Sequence, residues 1–328
     1  MIVVTGGAGF IGSAIVWKLN QLGEKEIIIV DEFGQDDKWK NLVGLNFIDF
    51  VHKDEFISFI MDGNLPFEFD TLIHMGACSS TTEKDADYLF ENNFRYSQEL
   101  VKYTLTHRAK FIYASSAATY GDGSQGYSDD EKLLFNFRPL NMYGYSKQLF
   151  DTWLYKTGVI DEVVGLKFFN VYGPNEYHKG DMRSVIHKSF GQINETGKVK
   201  LFKSYNPNYK DGEQLRDFIY VKDVVDIVAF FIEQKDKFGI FNVGTGKARS
   251  WNDLVTSVFN AMDKPVNIEY VDMPENLKSK YQYFTQAEMK KLRDAGYTKE
   301  LFSLEAGIDD YVKNYLLPQK YLDWKDNL

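Results

Sequence analysis

The sequence predicts a doubly wound α/β fold, with a parallel sheet covered by helices on both faces. Two observations carry this prediction. Short apolar runs alternate with stretches of helical period, and the first run ends in a glycine-rich turn that opens into a helix. Ile2 to Val4 is that first run, and Phe10 to Leu22 follows with helical period. Ile27 to Val30 is a second β-type run, closed by Asp31. Thr71 to His74 and Phe111 to Ala114 read as buried strands, each followed by small or turn residues. Glu83 to His107 reads as one long helix between them. Asn141 to Lys156 is another helix, and Val163 to Phe168 another strand. Crossovers between parallel strands are right-handed, so ligands should sit at the carboxyl ends of the strands.

After Asn170 the texture changes. Val171 to Gly180 is a polar loop rich in Gly, Tyr and His, and Met182 to Asn194 looks helical. Tyr205 to Gln214 holds Pro207 and Gly212 and reads as an exposed loop. Val221 to Glu233 returns to an amphipathic helix and Ile240 to Val243 to a strand. The remainder mixes short helices and loops, including Thr285 to Leu292 and Leu304 to Tyr315. Two interleaved domains follow. One takes residues 1–168 plus about 218–247, and a smaller mixed α/β domain takes about 169–217 plus 248–328.

Composition narrows the function classes. At 328 residues the chain is long enough for a sizeable core, and 44% apolar with 26% charged residues excludes a disordered chain. Lys and Arg number 38 against 47 Asp and Glu, a net charge of −9. Such a chain has no general pull on nucleic acid or anionic membranes, so neither is an expected partner. Anionic ligands would need local features. The single Cys78 excludes an intramolecular disulfide framework and suits a reducing, cytoplasmic compartment. No run approaches a membrane span, and the Met1 to Gly6 start lacks the basic region of a secretory signal. No metal-ligand cluster is evident among the five histidines.

Thr5-Gly6-Gly7-Ala8-Gly9-Phe10-Ile11-Gly12 lies between the first strand and the first helix. Glycines there permit a tight turn and close approach of backbone to a pyrophosphate. The helix N-terminus adds free N–H groups and partial positive charge. The placement marks a dinucleotide site of Rossmann type. Asp31 lies 19 residues after Gly12, where an acidic group meets the adenosine ribose. A carboxylate there favours NAD and repels a 2′-phosphate unless cations are close. Lys38, Lys40 and Lys53 could supply them, so residue types leave NAD and NADP evenly matched.

Tyr143 precedes Lys147 by four residues, which puts both on one helix face. An ammonium beside a phenol favours the phenolate and should lower the phenol pKa. Such a phenol can take a proton from a hydroxyl while hydride leaves for nicotinamide. Ser115 and Ser116 end the preceding strand and could hold the reacting oxygen. Tyr145 is only two residues from Lys147 and should point elsewhere.

With these elements in place, the Thr-Gly-x-x-Gly-x-x-Gly start, the strand-end serine and Tyr-x-x-x-Lys resemble the extended short-chain dehydrogenases/reductases. Finer segments resemble the ADP-L-glycero-D-manno-heptose 6-epimerase family. They are His74 to Thr82, Tyr113 to Gly121, Phe168 to Gly180, Arg216 to Val221 and Tyr281 to Ala287, and they span nearly the whole chain. The resemblance implies C6 epimerisation of ADP-D-glycero-D-manno-heptose, a precursor of the lipopolysaccharide inner core. It implies a redox-neutral route in which tightly bound NADP takes and returns one hydride through a 6-keto intermediate. It also implies a homo-oligomer, pentameric or a multiple of it.

The resemblance implies residue roles as well. Tyr143 and Lys179 would be the two acid/base groups, with Lys147 anchoring the nicotinamide ribose. Ser116 is chosen over Ser115 because it lies four before Tyr120, as in related sugar epimerases. Gly6, Gly9, Phe10, Ile11 and Gly12 would form the cradle, with Asp31 and Glu32 at the ribose. Lys38 and Lys53 match positions near a 2′-phosphate, which favours NADP. Met75, Gly76, Ala77, Cys78, Ser79 and Asn92 would line the cofactor, with Val171 and Lys179 near the nicotinamide. His74 would pack at a strand end, and Cys78 would be a small cleft residue. Substrate would meet Ser116, Asn170, Asp181, Lys188, Phe202, Lys203, Ser204, Tyr205, Arg216 and Tyr281. An Arg216–Asp217 salt bridge and a core role for Tyr281 are the competing structural readings.

Some positions depart from the family pattern. Asp181 stands where some members have serine, and Lys188 where some have histidine, with His187 adjacent. Asp31-Glu32 is more acidic than an Asp-Asn pair, and the 205–214 loop is longer. Among alternatives, a 4,6-dehydratase would need an Asp-Glu pair where Ala117-Ala118 stand. A 4-epimerase, such as one acting on UDP-glucose, is opposed only by the specific segments. A non-enzymatic NADP sensor would not need Ser116, Tyr143 and Lys147 together.

Overall fold

The structure is a computed structural model that describes residues 1–278, 281–323 and 325. Six strands enter the central sheet in turn: β1 (Ile2–Thr5), β2 (Ile27–Asp31), β3 (Asp49–His52), β4 (Thr71–His74), β5 (Lys110–Ser116) and β6 (Val164–Phe168). The chain then leaves it for β7 (Asn170–Tyr172), β8 (Val199–Phe202) and β9 (Leu215–Tyr220). It returns as β10 (Gly239–Val243) and ends with β11 (Ala248–Ser250) and β12 (Ile268–Val271). The central sheet has seven strands in the order β10-β6-β5-β4-β1-β2-β3. All of its pairings are parallel. Strands β11-β9-β7 and β12-β8 form two small sheets beside it. The strand order reverses at β1, so a crevice opens past the carboxyl ends of β1 and β4, as expected for doubly wound sheets.

The helices are α1 (Phe10–Gln21), α2 (Lys53–Asp62), α3 (Ala86–Leu89), α4 (Tyr96–Thr106), α5 (Met142–Thr157) and α6 (Val185–Thr196), then α7 (Val221–Glu233), α8 (Trp251–Ala261), α9 (Glu275–Lys278), α10 (Lys290–Asp294) and α11 (Leu304–Tyr311). Strand side chains alternate between the two faces. Val4, Ile29, Ile73 and Ile112 pack with α1 and α7 on one face, whereas Val3, Ile28, Leu72 and Phe111 pack with α2, α4 and α5 on the other. Continuous apolar runs such as Ile27 to Val30 are what a two-sided burial requires. The outer edge at β10 is closed by acids. Glu131 accepts from the Ile240 N–H at 2.7 Å and Asp129 from the Asn242 N–H at 2.8 Å.

The structure departs from the pattern reading in several places. The stretch from Glu83 to His107 is not one regular helix. It starts at α3, capped by Asp85, and a π-helical turn at Phe90–Arg95 separates α3 from α4. Edge strand β3 and helix α2 carry too weak an apolar run to be read in advance. The Val171 to Gly180 loop holds β7 and a 3₁₀ turn at Tyr177–Met182. Thr285 to Leu292 is helical only from Lys290. The earlier residues are drawn into extended pairing, with Leu215 and Thr285 bonded through their backbones and the Ala287 N–H held by Asp217. The 205–214 loop folds back, burying Gly212 and Gln214. Among the described residues, no helix is long and apolar enough to cross a membrane.

Asp223 on α7 has no exposed surface; one carboxylate oxygen accepts from the Phe302 N–H at 2.9 Å and the other has no hydrogen-bond partner. Burial pushes its pKa up from 3.8 to about 7. The folded state therefore binds this proton more tightly than the unfolded chain. The stability this provides is complete below about pH 3.8 and is lost as pH rises through about 7. Asp223→Asn should unfold at higher denaturant than the parent at pH 8 and differ less at pH 5. Identical denaturation curves at pH 8 would contradict the assignment.

Candidate active site

The crevice is a cleft of about 720 Å³. Its floor is the turn after β1. Gly6 sits at φ +65°, and a Cβ there would lie 2.6 Å from the Gly76 backbone nitrogen. A Cβ on Gly12 would lie 2.1 Å from the Gly6 carbonyl oxygen. These two glycines let the turn close against the β4 loop and α1 against the turn. Gly9 caps α1 without a side-chain bond, so the first N–H groups of the helix face the cleft unfilled. This is a fit for a dinucleotide pyrophosphate.

Every residue expected at the cofactor lines this cleft: Gly6, Gly9, Phe10, Ile11 and Gly12; Asp31, Glu32, Lys38 and Lys53; Met75 to Ser79 and Asn92; Lys147, Val171 and Lys179. Asp31 accepts three hydrogen bonds. Oδ2 accepts from the Ala8 N–H at 2.9 Å, and Oδ1 accepts from Lys38 Nζ at 2.9 Å and the Glu32 N–H at 2.8 Å. Lys53 lies 3.5 Å from Glu32 and donates to Asn92 at 3.4 Å. Lys53 is also 3.8 Å from Asp54, so each lysine is paired with an acid at this end of the cleft. The π-helical turn aims Asn92 into the cleft and Asn93 inward. Asn93 holds the backbone N–H and C=O of Cys78, at 2.8 and 2.9 Å, and the Ser146 hydroxyl at 3.0 Å. A π turn of this kind often marks a functional site.

Ser116, Tyr143 and Lys147 meet at the cleft. Ser116 accepts from the Ala118 N–H at 3.1 Å, and its hydroxyl acts on the Tyr143 phenol in the direction that lowers the phenol's pKa. Ser115 does not compete, because its hydroxyl donates to Asp151 at 2.7 Å inside the protein. Tyr145 is 51% exposed and points away. One expectation is corrected. Burial raises the Tyr143 pKa, only partly opposed by Ser116, whereas Lys147 was expected to lower it. Burial pushes Lys147 down to about 8, against Asp151 and Cys78, which hold it up. Desolvation outweighs the attraction in both groups. His74 is a strand-end packing residue, held between Thr5 at 2.6 Å and Ser97 at 2.8 Å, with burial lowering its pKa to about 3.

Lys179 reaches the same cleft from the 3₁₀ turn after β7, its Nζ 5.0 Å from the centre of the Phe10 ring. Burial lowers its pKa, and Glu176 opposes that. Asn170 also lines the cleft. The other expected substrate residues lie outside its lining. Asp181 and Lys188 are exposed. Phe202, Lys203, Ser204 and Tyr205 continue from the end of β8, where Lys203 and the Tyr205 hydroxyl both meet Asp272, at 3.2 and 3.0 Å.

Arg216 gathers a second cluster. Its guanidinium lies 5.3 Å from the Tyr281 ring centre and 5.7 Å from that of Trp251. It donates to the carbonyls of Leu215 and Gln282. It forms no ion pair with Asp217, which instead accepts from the N–H groups of Thr245, Gly246 and Ala287. Tyr281 accepts from the Trp251 indole N–H at 2.9 Å and packs edge-on to Tyr283. Sequence reading missed Trp251, Tyr283 and Tyr209 here, because nothing local ties distant aromatics to Arg216. It also missed Tyr88 and His178 on the cleft.

The family model for the NAD dependent epimerase/dehydratase family matches residues 2–244. The chain belongs to that family. Among relatives, the ADP-L-glycero-D-manno-heptose-6-epimerase of Nitratidesulfovibrio vulgaris strain DP4 is 58% identical over 316 residues, 96% of this chain and 98% of that protein. That of Fusobacterium nucleatum is 51% identical over 325 residues, again 96% and 98%. The crystal structure of the Helicobacter pylori ADP-L-glycero-D-manno-heptose-6-epimerase superposes with TM-score 0.80 at 29% identity, covering 95% of each chain. A nicotinamide cofactor is therefore what the cradle of this epimerase-family chain fits.

The buried base of the site gives a direct test. Lys167 and Asp151 pair at 2.7 Å with neither side chain exposed. Lys167→Met would remove the ion-pair partner of the buried Asp151 and should cost about 3–5 kcal/mol in denaturant unfolding. A loss below about 1 kcal/mol would contradict that reading.

Proposed function

We propose that this protein epimerises C6 of the heptose in ADP-D-glycero-D-manno-heptose, giving the L-glycero epimer for the lipopolysaccharide inner core. The observation that carries this reading is the pairing of two proton-handling side chains, Tyr143 and Lys179, brought to one cofactor cleft by different elements. Inverting a centre through a planar ketone needs proton transfer in two orientations of the intermediate. The substrate is that of the relatives, which are ADP-L-glycero-D-manno-heptose-6-epimerases.

The cofactor, when bound, supplies the hydride acceptor and donor. The chain's own residues do the rest. Ser116 and Tyr143 hold the reacting oxygen, and Tyr143 moves its proton. Lys147 keeps a positive charge beneath the ribose. Lys179 serves the oxygen when the ketone presents its other face. Arg216 has guanidinium N–H groups beyond the two used for Leu215 and Gln282, and these suit a diphosphate. Tyr281, Tyr283 and Trp251 offer faces for an adenine.

NADP is the favoured form. Asp31 already holds the glycine turn and Lys38, with Oδ2 accepting one bond and Oδ1 two, so the lysine stands beside the place of the ribose 2′ position. Lys38 and Lys53 stand at that end of the cleft and would offer cations to a 2′-phosphate beside Asp31, Glu32 and Asp36. This reading also carries a cytoplasmic location and a homo-oligomer, pentameric by family resemblance, which sedimentation analysis would check.

Incubation with ADP-D-glycero-D-manno-heptose should yield the L-glycero epimer on chromatography without added oxidant. An untouched ADP-heptose beside turnover of UDP-galactose would replace the assignment with a 4-epimerase. Tyr143→Phe should lose at least about 100-fold in rate while keeping its cofactor; full activity would remove the acid/base role. Lys38→Ala should weaken NADP binding roughly tenfold more than NAD binding, read by cofactor fluorescence. Equal losses would point to NAD.

A further inference from the structure

His178 sits in the 3₁₀ turn that delivers Lys179, and it lines the cofactor cleft. Its two ring nitrogens have different surroundings. Nδ1 lies 3.2 Å from the side-chain nitrogen of Asn41. Nε2 has no hydrogen-bond partner among the described residues, yet it is not sealed in the interior, unlike the buried Nε2 of His187. One nitrogen is therefore spent inside the protein, and the other is left for what the cleft holds.

Asn41 decides which nitrogen carries the proton. It is buried on a 3₁₀ turn at Asp37–Leu42, three residues after Lys38. Its Nδ2 donates to the Ala8 carbonyl at 2.9 Å, inside the glycine turn. A carbonyl only accepts, so the NH₂ end of the amide has to face it. The amide keeps this orientation although its Oδ1 is left buried without a partner. The same NH₂ group meets His178 and can only donate to it, so Nδ1 is the bare, accepting nitrogen. The neutral ring then carries its proton on Nε2. A second proton on Nδ1 would oppose the Asn41 N–H. Burial also disfavours the charged ring and lowers its pKa to about 4, with Asp36 and Asp31 raising it and Lys38 and Lys179 lowering it.

We infer that His178 is a cofactor-binding residue whose Nε2–H donates to a phosphate oxygen of the bound dinucleotide. The chain from Ala8 through Asn41 to His178 ties this donor to the glycine turn that would hold the pyrophosphate. The donor is neutral, so it adds a hydrogen bond without a further cation beside Lys38 and Lys179. The diphosphate and a 2′-phosphate both offer the required oxygen, and the two forms of the cofactor separate them. The inference rests on a nicotinamide dinucleotide in this cleft. It needs neither the ADP-heptose assignment nor the acid/base role of Lys179.

The test uses the full chain freed of bound nucleotide. In ¹⁵N-labelled parent protein near neutral pH, magnetic resonance should find His178 protonated on Nε2 and bare on Nδ1. Adding NADPH should move the Nε2–H signal and slow its exchange with water. A proton on Nδ1, or an Nε2–H signal that NADPH leaves unmoved, overturns the inference whether or not any variant folds. Binding of NADPH and NADH is then read by cofactor fluorescence. His178→Leu should weaken it about 10- to 100-fold, as expected for losing a hydrogen bond to a charged group. His178→Gln, which keeps a neutral N–H donor, should stay within about threefold of the parent. Equal losses for both nucleotides place the donor at the diphosphate, and a loss confined to NADPH places it at the 2′-phosphate. Unchanged affinity for both in a folded His178→Leu protein overturns the inference, whatever happens to KM for ADP-heptose. If the parent itself binds neither nucleotide, the cofactor reading fails and the inference falls with it.

Discussion

Asp151 and Lys167 pair deep beneath the cleft, Oδ2 and Nζ 2.7 Å apart, with neither side chain exposed. Much of the site hangs on this contact. Asp151 lies one helical turn beyond Lys147 and two beyond Tyr143, on the same face of α5. It also accepts from the hydroxyls of Tyr113 and Ser115 on β5, at 2.9 and 2.7 Å. Lys167 is the β6 neighbour of Ser115 and donates onward to Thr119 at 2.7 Å. The Tyr120 and Phe137 rings flank its ammonium at 5.0 and 5.8 Å. One buried pair therefore fixes the spacing between the helix carrying Tyr143 and Lys147 and the strand end carrying Ser116. Pairs of this kind contribute little net stability but penalise any arrangement that separates them.

The same economy of charge explains how an acidic chain can present sites for anions. A net charge of −9 offers no long-range attraction. Beside the glycine turn, Lys38 pairs with Asp31 and Lys53 with Glu32, and the turn presents backbone N–H groups. At the far cluster, Arg216 is held between two rings and two carbonyls rather than spent on Asp217. Each cation is local, oriented and partly desolvated, which is where a charge acts most strongly.

Much of the cofactor site was legible in the residues. The glycine turn, Asp31 and the Tyr143–Lys147 spacing are short-range patterns, and local backbone geometry translates them into structure directly. Lys179 and Arg216 were legible only through resemblance to a family. What stayed hidden depends on contacts across long stretches of chain. Trp251 stands 35 positions from Arg216, and Asn41 stands 137 from His178. The irregularity in Phe90–Arg95 was hidden too, because a π turn keeps an apolar pattern close to that of an α-helix.

The sequence by itself determined the alternation of strands and helices, the glycine-rich turn and the placing of Tyr143 and Lys147 on one face of α5, because those follow from periodicity and local spacing. Only the tertiary structure showed what holds Ser115 back, its hydroxyl being given to the buried Asp151. It also decided that Asp31 holds the glycine turn and that burial raises the pKa of Tyr143 and lowers those of Lys147 and Lys179. Those outcomes turn on desolvation and on hydrogen-bond partners brought from other elements, and neither exists until the chain has folded.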